Sequence, residues 1–140
     1  MGDAAHAMAF YMSMGVSMVV EDAVSLAVAL DHARESDTGP AGLKYALGVF
    51  EDVRKRRAER VQKASLRAGD SYHVPEGKER EAMYKLMARP NNDAETGMHD
   101  LSEVEDGVGG LANKRTRGGC YAFSAWGSVY RRFEEMKISE

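Results

Sequence analysis

A chain of 140 residues with one cysteine, Cys120, cannot close an internal disulfide. The N-terminus also lacks the basic lead and cleavage site of a secretory signal, so a reducing, cytoplasmic setting is the expectation. No run of about 18 uninterrupted apolar residues is present, because Glu21 and Asp22 cut the first apolar region and Asp31 closes it; no membrane span is expected. Neither sign of charge dominates. With 19 basic and 22 acidic residues the net charge is −3, and no global field draws the chain towards nucleic acid or an anionic membrane. Histidines 6, 32, 73 and 99 show no HExxH spacing and Cys120 has no CxxC partner, so no metal is expected. A GxGxxG phosphate turn is missing too, since GVGGL at 107–111 sits in a polar stretch rather than between a strand and a helix.

What is present reads as one small, all-α domain of about four helices with at most a minor strand; 44% of the residues are hydrophobic and 29% charged. Residues 1–34 hold a turn and a first helix, opened by Ser13 or Ser17. Val16, Val19, Val20, Ala23, Val24, Ala27 and Leu30 are spaced along one side of that helix. ESDTGPAG breaks it. A long helix over 41–69 carries Leu43, Leu47, Phe50, Val53 or Arg54, Val61 and Ala64, and turns basic in its second half. After GDSYHVPEG comes a short helix over 76–89, with Met83, Leu86 and Met87 on one side and Pro90 as its stop. The segment 90–140 is loop-rich, with a brief helical turn at LSEVED, and ends in the amphipathic helix AWGSVYRRFEEMK. Only YAF and the first few residues look extended. The run Arg54, Lys55, Arg56, Arg57, Arg60, Lys63 and Arg67 contains Glu59 and no interleaved aromatics, which predicts a solvated helix face rather than a nucleic-acid surface.

The stretch GDAAHAMAFYMSMGVSMVVEDAVSLA combines a Gly2-Asp3 pair, Ala4-Ala5-His6, Gly15 about a dozen residues on, and Glu21-Asp22 leading an Ala/Leu-rich helix. It resembles the second flavin-binding motif of the class A FAD-dependent monooxygenases, especially fungal salicylate hydroxylase-like enzymes. FEDVRKRRAERVQKAS resembles that family's long helix, and GLANKRTRGGCYAFSAWGSVYRRFEEM its closing segment, so the likeness covers essentially the whole chain as a C-terminal third. The resemblance implies that Asp3 accepts hydroxyl hydrogen bonds from the ribityl chain of FAD, and that the backbone at Gly15, Val16 and Ser17 faces the flavin and diphosphate. Two positions depart from the family's pattern. Phe10 stands where a proline usually lies beside the flavin, and Met14 where a Gln commonly precedes the Gly. The dinucleotide-binding part that precedes the motif in the family is absent from this sequence, so the isolated chain is expected to hold no FAD.

Three functions are compatible with these residues. One is a flavin-independent enzyme of natural-product metabolism, transferring protons to isomerise or cyclise a hydrophobic small molecule. His6, Asp3 and Tyr11 would act as acid, base and orienting groups, and Met8, Phe10, Met14, Tyr72, His73, Tyr121 and Trp126 would line the pocket. Another is a piece of an aromatic monooxygenase that binds FAD only with an N-terminal partner chain. The third is a non-catalytic binding or scaffold protein. In a full-length relative the side bearing Val16, Val20, Val24 and Val28, with the Met8–Met18 segment, would be covered; its exposure here predicts a homodimer with a methionine-lined pocket at the interface.

Overall fold

The computed structural model describes residues 1–36, 38–87, 120 and 123–137, and among them every regular element is helical. In chain order these are α1 (Asp3–His6), a 3₁₀ turn (Phe10–Met12), α2 (Gly15–Ser36), α3 (Gly39–Tyr72), α4 (Lys78–Met87) and α5 (Ala125–Lys137). The opening residues, expected to be extended, instead form a helical turn, because the amides of Ala5 and His6 both close onto the Gly2 carbonyl at 2.8 and 3.0 Å. Tyr121 and Ala122 of YAF, and LSEVED, lie outside the described residues, as do the side chains of Leu86 and Met87.

Ser13 in the left-handed region (φ 53°) ends the 3₁₀ turn, and the Met14 carbonyl takes the first α2 bond from the Met18 amide at 2.9 Å. The break between α2 and α3 is shorter than ESDTGPAG suggests. Gly39, with φ +61°, redirects the chain. Pro40 then sits in the first turn of α3, where its missing N–H costs nothing. α4 opens on Glu79 and Glu81 and closes on Lys85, charges placed to complement its dipole. Ser124 caps α5 by accepting the Gly127 amide on its hydroxyl at 3.1 Å.

The chain forms two compact units, and α3 contributes to both. The first comprises Met1–Ala7, Met14–Glu59 and Ser124–Glu140. Its core gathers Ala29 of α2, Ala46 and Val49 of α3, and Val129 and Phe133 of α5, with Val28, Ala33, Phe50, Val53 and Met136 around them. Phe133 is the centrepiece: His32 stacks on it at 3.8 Å between ring centres, and Tyr45 leans on it at 5.9 Å. The second unit comprises Met8–Ser13 and Arg60–Phe123. In it the Ser65 hydroxyl donates to the Ala9 carbonyl, and Met12, Val61 and Ala68 are buried.

The buried face of α2 is not the valine side. Met18, Asp22, Ser25 and Ala29 are buried, whereas Val16, Val19, Val20, Val24 and Leu30 are exposed. Hydrophobic periodicity identifies the more apolar face, and here the polar face is the one that other elements cover. The expected pattern on α3 shifts likewise: Leu43 and Leu47 are exposed while Ala46 and Val49 are buried. Val28 packs against the core and Met12, Met14 and Met18 are buried, so three methionines of the Met8–Met18 segment are interior rather than exposed surface.

Candidate functional site

Asp22 organises the first unit. Its Oδ2 accepts the Gly2 amide at 2.9 Å and lies 2.6 Å from His6 Nε2, and its Oδ1 accepts Arg54 Nε at 2.8 Å. Arg54 continues through Nη1 to Glu21 Oε2 at 2.8 Å and through Nη2 to the Met18 carbonyl at 3.2 Å. Arg57, one turn further along α3, takes Glu21 in a two-pronged grip, Nε to Oε2 at 3.0 Å and Nη2 to Oε1 at 2.9 Å. Two carboxylates thus meet two guanidiniums, and Asp22, Arg54 and Arg57 are all buried. The basic run was expected to be a solvated face; for Arg54 and Arg57 that expectation fails, because α2 presents an acidic pair opposite them.

Burial pushes the Asp22 carboxyl up, but the hydrogen bonds from Gly2, His6 and Arg54 and the Arg54 charge together outweigh it and hold the group below its ordinary value. A carboxylate so held accepts, so His6 Nε2 is the donor in this pair and Nδ1 faces away from it. That Nδ1 is buried with no hydrogen-bond partner among the described residues, and His6 as a whole is only 4% exposed. The arrangement makes His6 a brace between α1 and α2.

The consequence is a pinned turn. Gly2 takes φ +61° and ψ −155°, a conformation suited to glycine, and a β-carbon built on it would sit 3.6 Å from Val19 Cγ2 of α2. Asp3, next in the chain, is left exposed. At the start of α2, Gly15 has nothing within 4 Å of where a β-carbon would stand, and Val16 and Ser17 are exposed. The first-turn N–H groups of such a helix have no intrahelical acceptor.

The second unit brings Phe10, Tyr11, Tyr72 and His73 together. The Tyr11 hydroxyl and His73 Nε2 lie 3.1 Å apart. The Tyr11 ring stands 4.6 Å from Phe10, 6.1 Å from Tyr72 and 5.8 Å, edge-on, from His73. Gly69 of α3 admits that ring, since a methyl there would lie 2.3 Å from Tyr11 Cε2. Phe10 is 80% exposed and Tyr72 is also largely open. Met8 is half-buried in this unit. Of the other residues expected to line a pocket, Met14 is buried in the first unit, Trp126 pairs there with Tyr130 at 5.6 Å on α5, and Tyr121 lies outside the described residues.

The ionic cluster was missed at the level of sequence although its signals were visible: an acidic pair interrupting an apolar helix, and two arginines three apart in the next helix. Among the described residues no group of histidine, cysteine and carboxylate side chains could hold a metal, and no helix is long and apolar enough to cross a membrane.

No protein-family model and no solved structure matches the chain. Curated proteins do. An FAD-dependent monooxygenase of Arthrinium sp is 35% identical over 77 residues, 55% of this chain and 17% of the relative. A 3-amino-4-hydroxybenzoate 2-monooxygenase of Streptomyces platensis is 40% identical over 76 residues, 54% of this chain and 18% of the relative. Salicylate hydroxylase of Pseudomonas putida is 38% identical over 73 residues, 52% of this chain and 16% of the relative. Over about half of its length the chain is therefore a relative of the FAD-dependent monooxygenases, and it spans less than a fifth of the length of each of these relatives.

Proposed function

We propose that this chain supplies the flavin-facing segment of an FAD-dependent monooxygenase and works together with the remainder of such an enzyme. The pinned Gly2-Asp3 turn carries the reading: a clamp on the Gly2 amide fixes the turn against α2 and leaves the Asp3 carboxylate exposed beside it. The donor set fits one part of FAD. Asp3 offers acceptors suited to ribityl hydroxyls, and the open first turn of α2 at Gly15, Val16 and Ser17 offers N–H groups suited to carbonyl or phosphate oxygen. FAD supplies the redox chemistry when bound; the residues of this chain bind and orient it. The GxGxxG turn that would hold the diphosphate is absent from the sequence, so the adenosine half needs another chain or a longer one.

The test is flavin retention. The chain purified alone is expected to be colourless, and the chain co-expressed with the N-terminal part of a related monooxygenase to be yellow, with Asp3→Asn lowering the flavin content. A stoichiometric flavin spectrum in the chain alone would refute the need for a partner. Loss of no flavin on Asp3→Asn would remove Asp3 from the site.

A second reading is favoured by the Tyr11–His73 pair. A phenol hydrogen-bonded to an imidazole among exposed aromatic rings can pass a proton to a bound hydrophobic molecule without any flavin, which suits an isomerase or cyclase acting in natural-product metabolism. It predicts turnover in the colourless chain that falls with His73→Ala, whereas the flavin reading predicts none.

A further inference from the structure

Both ends of α1 converge on one oxygen atom. The Gly2 amide, at the cap position before the helix, donates to Asp22 Oδ2 at 2.9 Å, and His6 Nε2, on the last residue of the helix, meets the same Oδ2 at 2.6 Å. Within the turn, the Ala5 and His6 amides close onto the Gly2 carbonyl. A helix of four residues has no stability of its own, so these two side-chain bonds decide where α1 lies. They do not fix the same thing. A bond at Gly2 alone leaves α1 free to pivot about that point, and the second bond at the far end removes the pivot. Asp3 lies between the two and is exposed, so the direction of its carboxylate follows the orientation of α1. His6 itself is enclosed: Nε2 is taken by Asp22, and Nδ1 is buried with no partner among the described residues. A group so placed acts through geometry.

We propose that His6 is the positioning residue of this turn: by tying the far end of α1 to the oxygen that already holds Gly2, it sets the direction in which Asp3 presents its carboxylate to the ribityl hydroxyls of a flavin. The inference rests on the flavin reading given above. It adds a residue that touches neither the flavin nor a reacting atom and works only through Asp3. The post to which His6 is tied is itself rigid. Asp22 Oδ1 accepts Arg54 Nε at 2.8 Å, and Arg54 is bonded in turn to Glu21 and to the Met18 carbonyl, so the carboxylate cannot swing to follow α1. Its charge makes the bond from His6 stronger than one between neutral groups. The donor at Nε2 is what matters, and the ring is not. Glutamine carries an amide nitrogen at nearly the same reach, whereas leucine fills similar space and donates nothing.

Two measurements test it. In the full chain alone, hydrogen exchange at the amides of Ala5 and residue 6 reports whether α1 is held. His6→Leu is expected to speed that exchange by roughly 10-fold or more while α2 keeps its protection, and His6→Gln to stay near the wild type. In the chain co-expressed with the N-terminal part of a related monooxygenase, His6→Leu is expected to raise the flavin dissociation constant by roughly 10-fold, the effect of one lost charge-assisted hydrogen bond, and His6→Gln to restore it. In an Asp3→Asn background the same His6→Leu change should add little, because the carboxylate it positions is gone. Unchanged exchange in His6→Leu overturns the proposal and leaves the flavin reading standing. So do flavin penalties of His6→Leu and Asp3→Asn that add in full. An Asp3→Asn chain that holds flavin as tightly as the wild type refutes the flavin reading, and this proposal with it.

Discussion

Replacing Asp22 by Ala removes three bonds at once: the acceptor of the Gly2 amide, the partner of His6 Nε2 and the acceptor of Arg54 Nε. It also turns a cluster balanced at two positive and two negative groups into one with an excess positive charge, in a place with no solvent to compensate. Asp22 is 1% exposed and Arg54 is likewise buried. Removing one partner of a buried ion pair costs about 3–5 kcal/mol, because the other charge remains desolvated and unpaired. Domains have a net stability of about 5–15 kcal/mol, so this is a large fraction of the total. In a chain of this size each kcal/mol moves the melting temperature by about 2–4 °C, and a fall of roughly 10 °C is expected. Thermal melts and urea titrations followed by circular dichroism measure it. A compensating variant checks the cause: Asp22→Leu combined with Arg54→Met leaves the Glu21–Arg57 pair matched and removes the stranded charge, so it should recover at least half of the loss. A shift for Asp22→Ala within about 1 kcal/mol of wild type, or a double variant no more stable than Asp22→Ala, would show that the cluster contributes little and that the reasoning is wrong.

Acid should remove the same contribution by another route. The folded-state pKa of Asp22 lies below the unfolded value of about 3.9, so the stability it adds is complete above that value and is lost as the pH falls through the folded value; Asp22→Asn should flatten this acid limb, and parallel limbs in the two proteins would refute it. Two glycines of α3 should respond oppositely to alanine. Gly48→Ala meets nothing within 4 Å and should stabilise by about 0.5–1 kcal/mol through helix propensity. Gly69→Ala drives a methyl into the Tyr11 ring and should destabilise despite the same gain, with loss of the Tyr11–His73 hydrogen bond visible in the imidazole NMR signals.

How much of this could be read from the sequence depends on whether the determining interaction is local. α5 was legible to the residue from the amphipathic run AWGSVYRRFEEMK, which Ser124, the residue just before it, caps. α2 was legible as a helix, and the exposure expected of Val16, Val20 and Val24 is what the structure has, while Val28 packs against the core. Hydropathy had no means of supplying what covers the other face, where an acidic pair meets arginines 32 to 36 positions away and is buried. The Tyr11–His73 pair, 62 positions apart, was likewise visible only as two separate candidates.

The motif at the N-terminus shows the same limit from the other side. Gly2-Asp3 and Glu21-Asp22 were read as parts of one motif with no contact assigned between them, yet the amide of Gly2 donates to Asp22 across twenty positions. The two aspartates therefore divide one task. Asp22 is buried, charged and saturated with donors, so it can hold backbone but has nothing left for a ligand. Asp3 is exposed and sits next to the residue that Asp22 holds. A short helix such as α1 has no stability of its own at four residues, and without the clamp the Asp3 carboxylate would lose its fixed place. The spacing between the two pairs is then a structural requirement: it is the length of chain needed for α1 to fold back onto the second turn of α2 and deliver Gly2 to Asp22.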